Sequence, residues 1–347
     1  MSQDYHRSPE DRRRRQRYLR RKKQRRNRRR LFYILCLLLL FLVFTAFRGI
    51  RTRLANKSNL EANVALWYYQ QMLREDKGQV DRSNVSYLNP LDLANIGRDK
   101  LTTFGYDLVK GSNHIKSAEK YAYDTKKIQE IIREKRDYTG KKLVFLTFDD
   151  GPNNKITPQI LDRLKERGVH ATFFLVGNHL TDKHEDVLRR ILREGHGIAT
   201  HSLTHNYKKL YPGRVGNAKQ IAYEAKKAEE YLQEYFGPDF SSGVWRYPGG
   251  HQSWKGLENG PDQALEKLGA TWIDWNCLVG DAQPRSDRPT TSQGQVDYVN
   301  KSLHQNKQTK VAVVLAHDAD NKQLTADSLD MVIDYFEENG YSFGILK

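Results

Sequence analysis

The sequence is poor in cysteine. Cys36 and Cys277 are the two cysteines in 347 residues, and two cysteines so far apart exclude the disulfide framework that holds many small secreted domains together. A chain of this length can bury a core large enough to fold without crosslinks. We therefore expect one large domain or two smaller ones.

The net charge is +16, but the excess of basic residues is not spread along the chain. Residues 1–30 contain fifteen Lys and Arg against three acidic residues, and the other 317 residues carry only +4. No aromatic stacking pattern or recognition fold accompanies this tract. We therefore interpret residues 1–30 as a cytoplasmic tail near anionic lipid and expect no nucleic-acid partner. Nucleic-acid binding by the tail is the alternative.

An uncharged run, LFYILCLLLLFLVFTAF, extends from Leu31 to Phe47. It is at the short end for a membrane-spanning helix, but the arginines at both ends can extend to the interfaces. Basic residues before a single apolar segment place the N-terminus in the cytoplasm. We predict a single-pass cell-membrane anchor over residues 31–47, with the rest of the chain outside. A cleaved signal peptide is the alternative, and the bulky residues at the end of the run argue against it.

Residues 48–140 are polar and contain two helical patterns, NLEANVALWYYQQMLRE and YDTKKIQEIIREK. The second pattern places Ile128, Ile131 and Ile132 on one face of a helix. We interpret residues 48–140 as an extracytoplasmic helical stalk or linker that precedes a catalytic domain at 141–347.

From Lys141 to Lys347, apolar segments alternate with helical patterns. This alternation predicts an α/β fold with a parallel sheet, either open or closed. One helix begins at Thr157-Pro158, with Thr157 as the N-cap, and others lie near 183–194, 216–236, 261–268 and 323–338. The strand candidates are 143–148, 171–176, 197–200, 244–247, 271–275, 311–316 and 341–346.

Chemically active residues follow the ends of these strands. Because the carboxyl ends of parallel strands meet at one edge of a sheet, these residues predict a single site. They are Asp149, Asp150, His201, Arg246, Asp281 and His317.

His201 and His205 begin and end the segment HSLTH. On a helix, this spacing places two imidazoles on one face, about 5–6 Å apart at their β-carbons. With one carboxylate from Asp149–Asp150, they predict a metal site that leaves coordination positions open for water. The other aspartate can accept a proton from that water. A surface histidine pair and a turn aspartate pair are the structural alternatives.

Further residues fit the same chemistry. Arg246 can pair with a carboxylate and fix its orientation, although a plain salt bridge is the alternative. The glycines after it, in WRYPGG, allow a backbone N–H near Gly249 to approach an oxyanion. His317 can protonate a departing amine, and Asp281 can orient that imidazole and favour its protonated form.

The ordered segments TFDDGP, HSLTH, RYPGG, DWNCLVGDA and VVLAHD resemble the five motifs of the polysaccharide deacetylases, the NodB-homology domain of carbohydrate esterase family 4. The resemblance covers about residues 141–347. It implies a distorted (β/α) barrel of seven to eight strands. Together with the predicted anchor, it is strongest to membrane-anchored peptidoglycan N-acetylglucosamine deacetylases.

The resemblance also implies a role for each motif residue. Asp149 matches the catalytic base, Arg246 the residue that holds it, and His317 the general acid oriented by Asp281. The metal ligands would be Asp150, His201 and His205, around one divalent ion, with Zn²⁺ as the default and Co²⁺, Mn²⁺ or iron also compatible. The residues assigned to substrate binding are Tyr247, Gly249, Trp275 and Leu315.

The implied reaction is metal-dependent removal of acetate from N-acetylglucosamine residues of cell-wall peptidoglycan. The alternatives are another N-acetylated polymer, such as chitin oligomers or poly-N-acetylglucosamine, an acetyl ester, or an inactive glycan-binding module. Three departures from the family pattern concern the substrate. Gly249 replaces an aromatic residue, Asn206 replaces a proline, and the fourth motif keeps Asp281 but has Leu278 and Ala282 at its other positions.

Overall fold

The computed structural model describes residues 107–347 of the chain. The predicted cytoplasmic tail, the predicted anchor and most of the predicted stalk lie outside the described residues. Within residues 107–347, no helix is both long and apolar enough to cross a membrane.

Strands and helices alternate through this part of the chain, as the sequence predicts. The strands are β1 Ala122–Tyr123, β2 Leu143–Asp149, β3 Ala171–Leu175, β4 Gly197–Thr200, β5 Val244–Trp245, β6 Thr271–Trp272, β7 Cys277–Leu278, β8 Val311–His317, β9 Ser342–Phe343 and β10 Ile345–Leu346. The α-helices are α1 Thr125–Ile132, α2 Thr157–Arg167, α3 Glu185–Arg193, α4 Tyr207–Leu210, α5 Ala218–Phe236, α6 Pro261–Lys267, α7 Ser292–Leu303 and α8 Gln323–Glu338.

The main sheet is parallel, in the order β6-β5-β4-β3-β2-β8-β7, and β9 pairs with β2 beside the start of β3. β6 and β7 form the two ends of this path in residues 107–347. The curled sheet is a half-barrel of seven strands with α2, α3, α5, α7 and α8 on its outside, and it fits the predicted distorted (β/α) barrel. A sheet of this kind carries its site at the carboxyl ends of the strands.

Strand β2 shows how alternation assigns side chains to the two faces of the sheet. Val144 and Leu146 pack in the larger core cluster, against residues of the surrounding helices. Phe145 packs in a second cluster, with residues of β3, β4, β5 and β8. Because successive side chains of a strand point to opposite faces, Thr147 and Asp149 share the inner face with Phe145. β2 therefore directs one carboxylate toward the interior of the curled sheet.

Helix α1 packs against this interior. Its Asp124 N-cap accepts a hydrogen bond from the Lys127 N–H, and Ile128, Ile131 and Ile132 are buried in the inner cluster. The helical pattern that the sequence shows here is confirmed. The described part of the predicted stalk therefore packs on the sheet of the deacetylase-like segment, and the predicted boundary at residue 140 does not mark a gap in packing.

The segment before α1 also holds the last strand in place. β1 pairs in parallel with β10, and the buried Asn113 side chain donates to the Leu346 carbonyl oxygen at 2.9 Å. The Lys347 N–H donates to the Tyr123 carbonyl oxygen at 2.9 Å. These contacts bring residues more than 200 positions apart in the chain into one small sheet.

Some local predictions differ from the structure. The strand predicted at 271–275 ends at Trp272, and the one predicted at 341–346 is divided into β9 and β10. Gly344 lies between them, where a Cβ would stand 2.8 Å from the Tyr123 ring. The short strand β7 and the helix α7 were not predicted. Helix α2 begins at Thr157 with Ile156 as its N-cap, so the prediction that Thr157 is the N-cap was wrong.

We expect the Ile131→Ala substitution to lower the free energy of unfolding by about 2–5 kcal/mol, because it removes a large side chain from a packed cluster. Lys127→Ala, on the exposed face of the same helix, should change it by less than about 0.5 kcal/mol. Urea unfolding of both variants checks this. Equal stability of the two variants would show that α1 contributes little to the core.

Candidate active site

The two adjacent aspartates diverge at the end of β2. Asp149 ends the strand and its side chain is almost fully buried. Asp150 has φ 81°, and its side chain is partly exposed. A positive φ is uncommon for a non-glycine residue and is found more often at functional turns. The turn therefore points one carboxylate inward and leaves the other near the surface.

Asp318 connects the turn after β2 to the end of β8. The sequence analysis did not single out this residue. A Cβ at Gly151 would stand 2.3 Å from Asp318 Oδ2, so only glycine fits there. Asp318 is fully buried and accepts a hydrogen bond from the Thr157 hydroxyl at 2.5 Å. Its N–H donates to the Asp149 carbonyl oxygen at 3.1 Å. Burial, with Asp149 and Asp150 nearby, raises the pKa of Asp318 to about 7.

His201 and His205 lie close together, but not on a helix. The segment 201–206 forms a turn in which Ser202 has φ 67° and His205 has φ 51°. The predicted helical placement was wrong, although the ring centroids do lie 5.0 Å apart. The Ser202 hydroxyl accepts the His205 N–H at 2.8 Å, so the turn itself brings the two imidazoles together.

A buried carboxylate of α5 fixes this turn. Glu224 is fully buried and accepts the Leu203 N–H at 3.1 Å and the Thr204 N–H at 2.9 Å. The Thr204 hydroxyl donates to the same carboxylate at 2.8 Å. The sequence analysis missed Glu224, because a single Glu in a polar helix gives no signal of what it contacts.

The structure brings Asp150, His201 and His205 together. Their possible ligand atoms all lie within 4.8 Å of one another. Asp150 Oδ1 is 3.3 Å from His205 Nε2 and 3.8 Å from His201 Nε2. Two imidazoles and one carboxylate are a donor set suited to a divalent transition metal.

The protonation of His201 suits this role. His201 Nδ1 lies 2.9 Å from the Arg246 carbonyl oxygen, and a carbonyl accepts only from a protonated nitrogen. Nε2 is therefore left with a lone pair that faces the cluster. Burial lowers the pKa of His201 to about 3, so the imidazole is neutral at ordinary pH and can bind a metal. The residues present fit a divalent ion.

Arg246 holds Asp149 as the sequence predicts. The fully buried guanidinium donates to Asp149 Oδ1 at 2.8 Å and to the Thr147 hydroxyl at 2.7 Å. It also donates to the carbonyl oxygens of Ile273 and Asp274, at 3.1 and 3.2 Å. The second Asp149 oxygen, Oδ2, lies 3.7 Å from His201 Nε2. One oxygen of the carboxylate is thus fixed while the other faces the candidate metal site.

His317 and Asp281 form a second pair on the other side of Asp149. His317 ends β8 in register with Asp149 on β2. The ring Nδ1 of His317 lies 2.8 Å from Asp281 Oδ1, and the backbone N–H of His317 donates to Asp281 Oδ2 at 2.9 Å. The Thr325 hydroxyl also donates to Oδ2, at 2.8 Å. These contacts orient the ring and leave Nε2 as its free nitrogen.

Each member of this pair shifts the pKa of the other. Burial lowers the pKa of His317, but the hydrogen bond and negative charge of Asp281 outweigh burial, so the pKa is raised. Burial likewise raises the pKa of Asp281, but His317, Lys322 and Thr325 outweigh it, so this pKa is lowered. The pair therefore favours an imidazolium beside a carboxylate.

The predicted substrate-binding residues occupy different environments. Leu315 is buried on β8 two residues before His317, on the same face of the strand. Trp275 is partly exposed, with its ring 5.7 Å from Arg246 Cζ. The Tyr247 ring is fully buried and its hydroxyl donates to Asp262 at 2.8 Å. Tyr247 is 0% exposed, main chain included, so its assignment to substrate binding stays a prediction.

Two aromatic residues occupy the space beside Gly249, where the family pattern has an aromatic side chain. Gly249 is exposed with φ 79°, and a Cβ there would stand 3.2 Å from the Tyr207 hydroxyl and 3.3 Å from the Trp254 ring. The Tyr207 ring lies 5.3 Å from the His205 ring and 5.1 Å from the Trp254 ring. Asn206 caps α4 with its side chain, which places Tyr207 at this position. The sequence analysis missed both aromatic residues because they lie outside the five motifs.

The fold and the site suit a hydrolase, and comparison with known proteins supplies the family. The sequence model of the family described as polysaccharide deacetylase matches residues 136–271. A putative polysaccharide deacetylase of Bacillus subtilis is 31% identical over 208 residues, which are 60% of this chain and 68% of that protein. The chain belongs to the polysaccharide deacetylase family.

Solved and curated relatives agree with this assignment. The structure of a Streptococcus mutans CE4 esterase is 45% identical, with a TM-score of 0.66, over 69% of this chain and 98% of that one. A peptidoglycan-N-acetylglucosamine deacetylase of Listeria monocytogenes is 28% identical over 65% of this chain. A chitooligosaccharide deacetylase of Rhizobium leguminosarum is 55% identical over 18% of this chain. These last two alignments span only 41% and 28% of the relatives' own lengths.

We expect Glu224→Ala to weaken Zn²⁺ binding by about 10–100-fold, as is typical when a residue that supports metal ligands is removed. The turn would lose the acceptor for its two N–H groups, and His205 would lose its fixed position. Competition with a fluorescent zinc indicator measures the affinity. Glu234→Ala, an exposed position of the same helix, is the matched control. If both variants bind Zn²⁺ equally well, Glu224 does not organise the site.

Proposed function

We propose that this protein removes acetyl groups from N-acetylglucosamine residues of cell-wall peptidoglycan. The observation that carries the chemistry is the placement of Asp149 between two groups. One of its oxygens is bound by Arg246 and the other faces the Asp150–His201–His205 cluster. His317 stands beside it on the neighbouring strand. This arrangement offers a base and an acid on adjacent strands, next to a candidate metal site.

The roles of the residues follow from these contacts. A divalent ion on Asp150, His201 and His205 would polarise the acetamide carbonyl and lower the pKa of a water molecule. Asp149 Oδ2 lies 3.7 Å from His201 Nε2, which is beyond hydrogen-bonding distance. This oxygen can therefore accept the proton of the attacking water. Its other oxygen stays fixed by Arg246, which keeps the base aligned during the transfer.

The departing amine needs a proton, and His317 is oriented to supply it. With Nδ1 bound to Asp281, the ring has Nε2 free for donation. Asp281 raises the pKa of His317 against the effect of burial, which favours the protonated imidazole that a general acid requires. The N–H groups near Gly249 are the proposed donors to the oxyanion.

Other observations support peptidoglycan as the proposed substrate. A relative from Listeria monocytogenes bears the name of a peptidoglycan-N-acetylglucosamine deacetylase, and the sequence predicts a membrane anchor at residues 31–47 with the catalytic part outside. An enzyme so anchored, with a basic tail near anionic lipid, would work on the wall next to the membrane. Chitin oligomers are the second candidate, supported by the chitooligosaccharide deacetylase relative.

Acetate release tests this proposal. We expect the purified chain with Zn²⁺ to release acetate from soluble peptidoglycan fragments faster than from N-acetylglucosamine oligomers. A chelator should abolish release, and Asp149→Asn should lower it by about 100-fold or more, because it removes the base. Faster release from the oligomers would favour the chitin substrate. A folded, zinc-loaded chain that releases nothing from either would contradict both.

The pH dependence tests the role of His317. The acid must be protonated, so activity should fall as pH rises through the pKa of His317, which Asp281 raises. Asp281→Asn removes that negative charge and lowers the pKa of His317, so the alkaline fall should move to lower pH. Thr325→Val keeps the charge and removes one hydrogen bond to Asp281, so its shift should be smaller. A pH–rate profile of kcat/KM with the same alkaline limb in all three proteins would exclude His317 as the acid.

A further inference from the structure

The turn that carries the proposed oxyanion donors lies between Tyr247 and His251. Its two glycines both have left-handed backbone conformations, with φ 79° at Gly249 and φ 83° at Gly250. Within residues 107–347, the Gly249 N–H has no hydrogen-bond acceptor, so it can donate to a ligand atom. Glycine has more backbone freedom than any other residue, and an oxyanion donor is effective only when its direction is fixed before the reaction. The turn therefore needs contacts that hold it from outside.

One carboxylate of α6 contacts the residues on both sides of this turn. Asp262 Oδ1 accepts a hydrogen bond from the Tyr247 hydroxyl at 2.8 Å, and Asp262 Oδ2 lies 3.0 Å from His251 Nε2. A carboxylate only accepts, so His251 carries a proton on Nε2 in this contact. Tyr247, Asp262 and His251 form what we call the Asp262 bridge, which closes the turn into a ring. Asp262 and His251 lie outside the five sequence motifs.

Each member of the Asp262 bridge is itself held in place. Tyr247 is fully buried, and the His251 ring stacks on the Trp272 ring with centroids 3.7 Å apart. The Asp262 N–H donates to the Leu257 carbonyl oxygen at 2.9 Å, which fixes the start of α6. Because hydrogen bonds are stronger away from water, a bridge between packed side chains constrains the turn more than a surface pair would.

A second carboxylate connects the turn to the residue that holds the proposed base. Asp274 Oδ1 accepts the His251 N–H at 2.8 Å. The Asp274 carbonyl oxygen accepts a hydrogen bond from the Arg246 guanidinium at 3.2 Å, and the same guanidinium binds Asp149. The turn is therefore held in a fixed relation to Asp149 as well as to α6.

The turn also has hydrogen bonds of its own. The Gly250 N–H donates to the Tyr247 carbonyl oxygen at 2.7 Å, and the Ser253 hydroxyl donates to the Gly249 carbonyl oxygen at 2.7 Å. These local bonds determine the shape of the turn, whereas contacts with the rest of the fold determine its direction. The Asp262 bridge supplies such contacts through side chains at both ends of the turn.

We propose that Asp262 is a positioning residue, which acts through Tyr247 and His251 to direct the N–H groups near Gly249 at the oxyanion of the transition state. This inference rests on the proposed function, because the oxyanion arises during deacetylation. Loss of the bridge would leave the candidate metal site and Asp149 in place but would misdirect the oxyanion donors. An interaction made only in the transition state affects kcat and not KM.

Kinetics of acetate release by the zinc-loaded full chain give the first test. The substrate is whichever glycan the unaltered chain deacetylates faster, soluble peptidoglycan fragments or N-acetylglucosamine oligomers. We expect Asp262→Ala to lower kcat by about tenfold or more, with KM and Zn²⁺ affinity unchanged. His251→Phe keeps an aromatic ring beside Trp272 and removes one arm of the bridge, so its loss of kcat should be smaller.

Glu266→Ala is the matched control for these kinetics. It removes the same charge from an exposed position of the same helix, so kcat should not change. Equal kcat in Asp262→Ala and Glu266→Ala would overturn the proposal. A loss of Zn²⁺ affinity in Asp262→Ala would also overturn it, because Asp262 would then act on the whole site and not on the turn.

NMR relaxation of the full chain labelled with [¹⁵N]glycine gives a second test that needs no substrate. We expect Gly249 and Gly250 to be ordered on the ps–ns timescale in the unaltered chain and mobile in Asp262→Ala. Asp262→Asn retains an acceptor for the Tyr247 hydroxyl and should restore part of the order. Gly197 on β4 is the internal reference and should not change.

The two tests separate failure of this inference from failure of the proposed function. Unchanged order of Gly249 and Gly250 in Asp262→Ala would overturn the inference, as would a mobile turn with unchanged kcat. An unaltered, zinc-loaded chain that releases no acetate from either glycan would contradict the proposed function. The relaxation data would then still decide whether Asp262 holds the turn.

Discussion

The arrangement of the active site depends on one buried cation. Arg246 is fully buried inside the curled sheet, with its guanidinium stacked on the Phe174 ring at 3.9 Å. An unpaired charge at this depth would be very costly. Asp149 supplies the opposite charge, while Thr147 and two carbonyl oxygens after β6 accept the remaining hydrogen bonds. The carbonyl oxygen of Arg246 itself faces His201 Nδ1. One residue thus orients the proposed base by its side chain and a proposed metal ligand by its main chain.

The same interaction couples the interior of the sheet to its functional edge. Asp149 is on the inner face of β2 because the side chains of a strand alternate, and Arg246 reaches it from β5 across the interior. The apolar cluster around Phe145 excludes water from this interior, which strengthens the ion pair and makes its loss more costly. Helix α1, before β2, packs in the same cluster. The packing of that helix and the alignment of the proposed base therefore depend on the same core.

Much of this fold follows from local patterns in the sequence. β2, β3, β4 and β8 are apolar runs of four to seven residues, and chemically active side chains stand at or directly after the ends of β2, β4 and β8. The five motifs were sufficient to nominate Asp149, Asp150, His201 and His205, which the structure brings together.

What the sequence could not supply are contacts between distant segments. The turn at His201 has the spacing of a helix, but a Glu 19 residues beyond its last histidine fixes a different conformation. Helix α7 contains Gly294 and many polar residues, so its weak periodicity gave no signal. The packing of α1 depends on strands far along the chain, which an isolated polar segment does not reveal. Tyr207 begins α4 and Trp254 lies on a separate loop, and their contact beside Gly249 is set by tertiary structure alone.

The register between β2 and β8 has a consequence for how such a site can change. Asp149 and His317 are direct partners across two hydrogen-bonded strands, and neighbouring strands are about 4.8 Å apart. The backbone ladder therefore sets the spacing of the two residues proposed to transfer protons, independently of any loop. The segments that carry Tyr207 and Trp254 lie outside this ladder, so they can be lengthened, shortened or rebuilt without moving Asp149 relative to His317. The sheet fixes the spacing of these two residues, and the segments around the strand ends are free to vary in length and sequence.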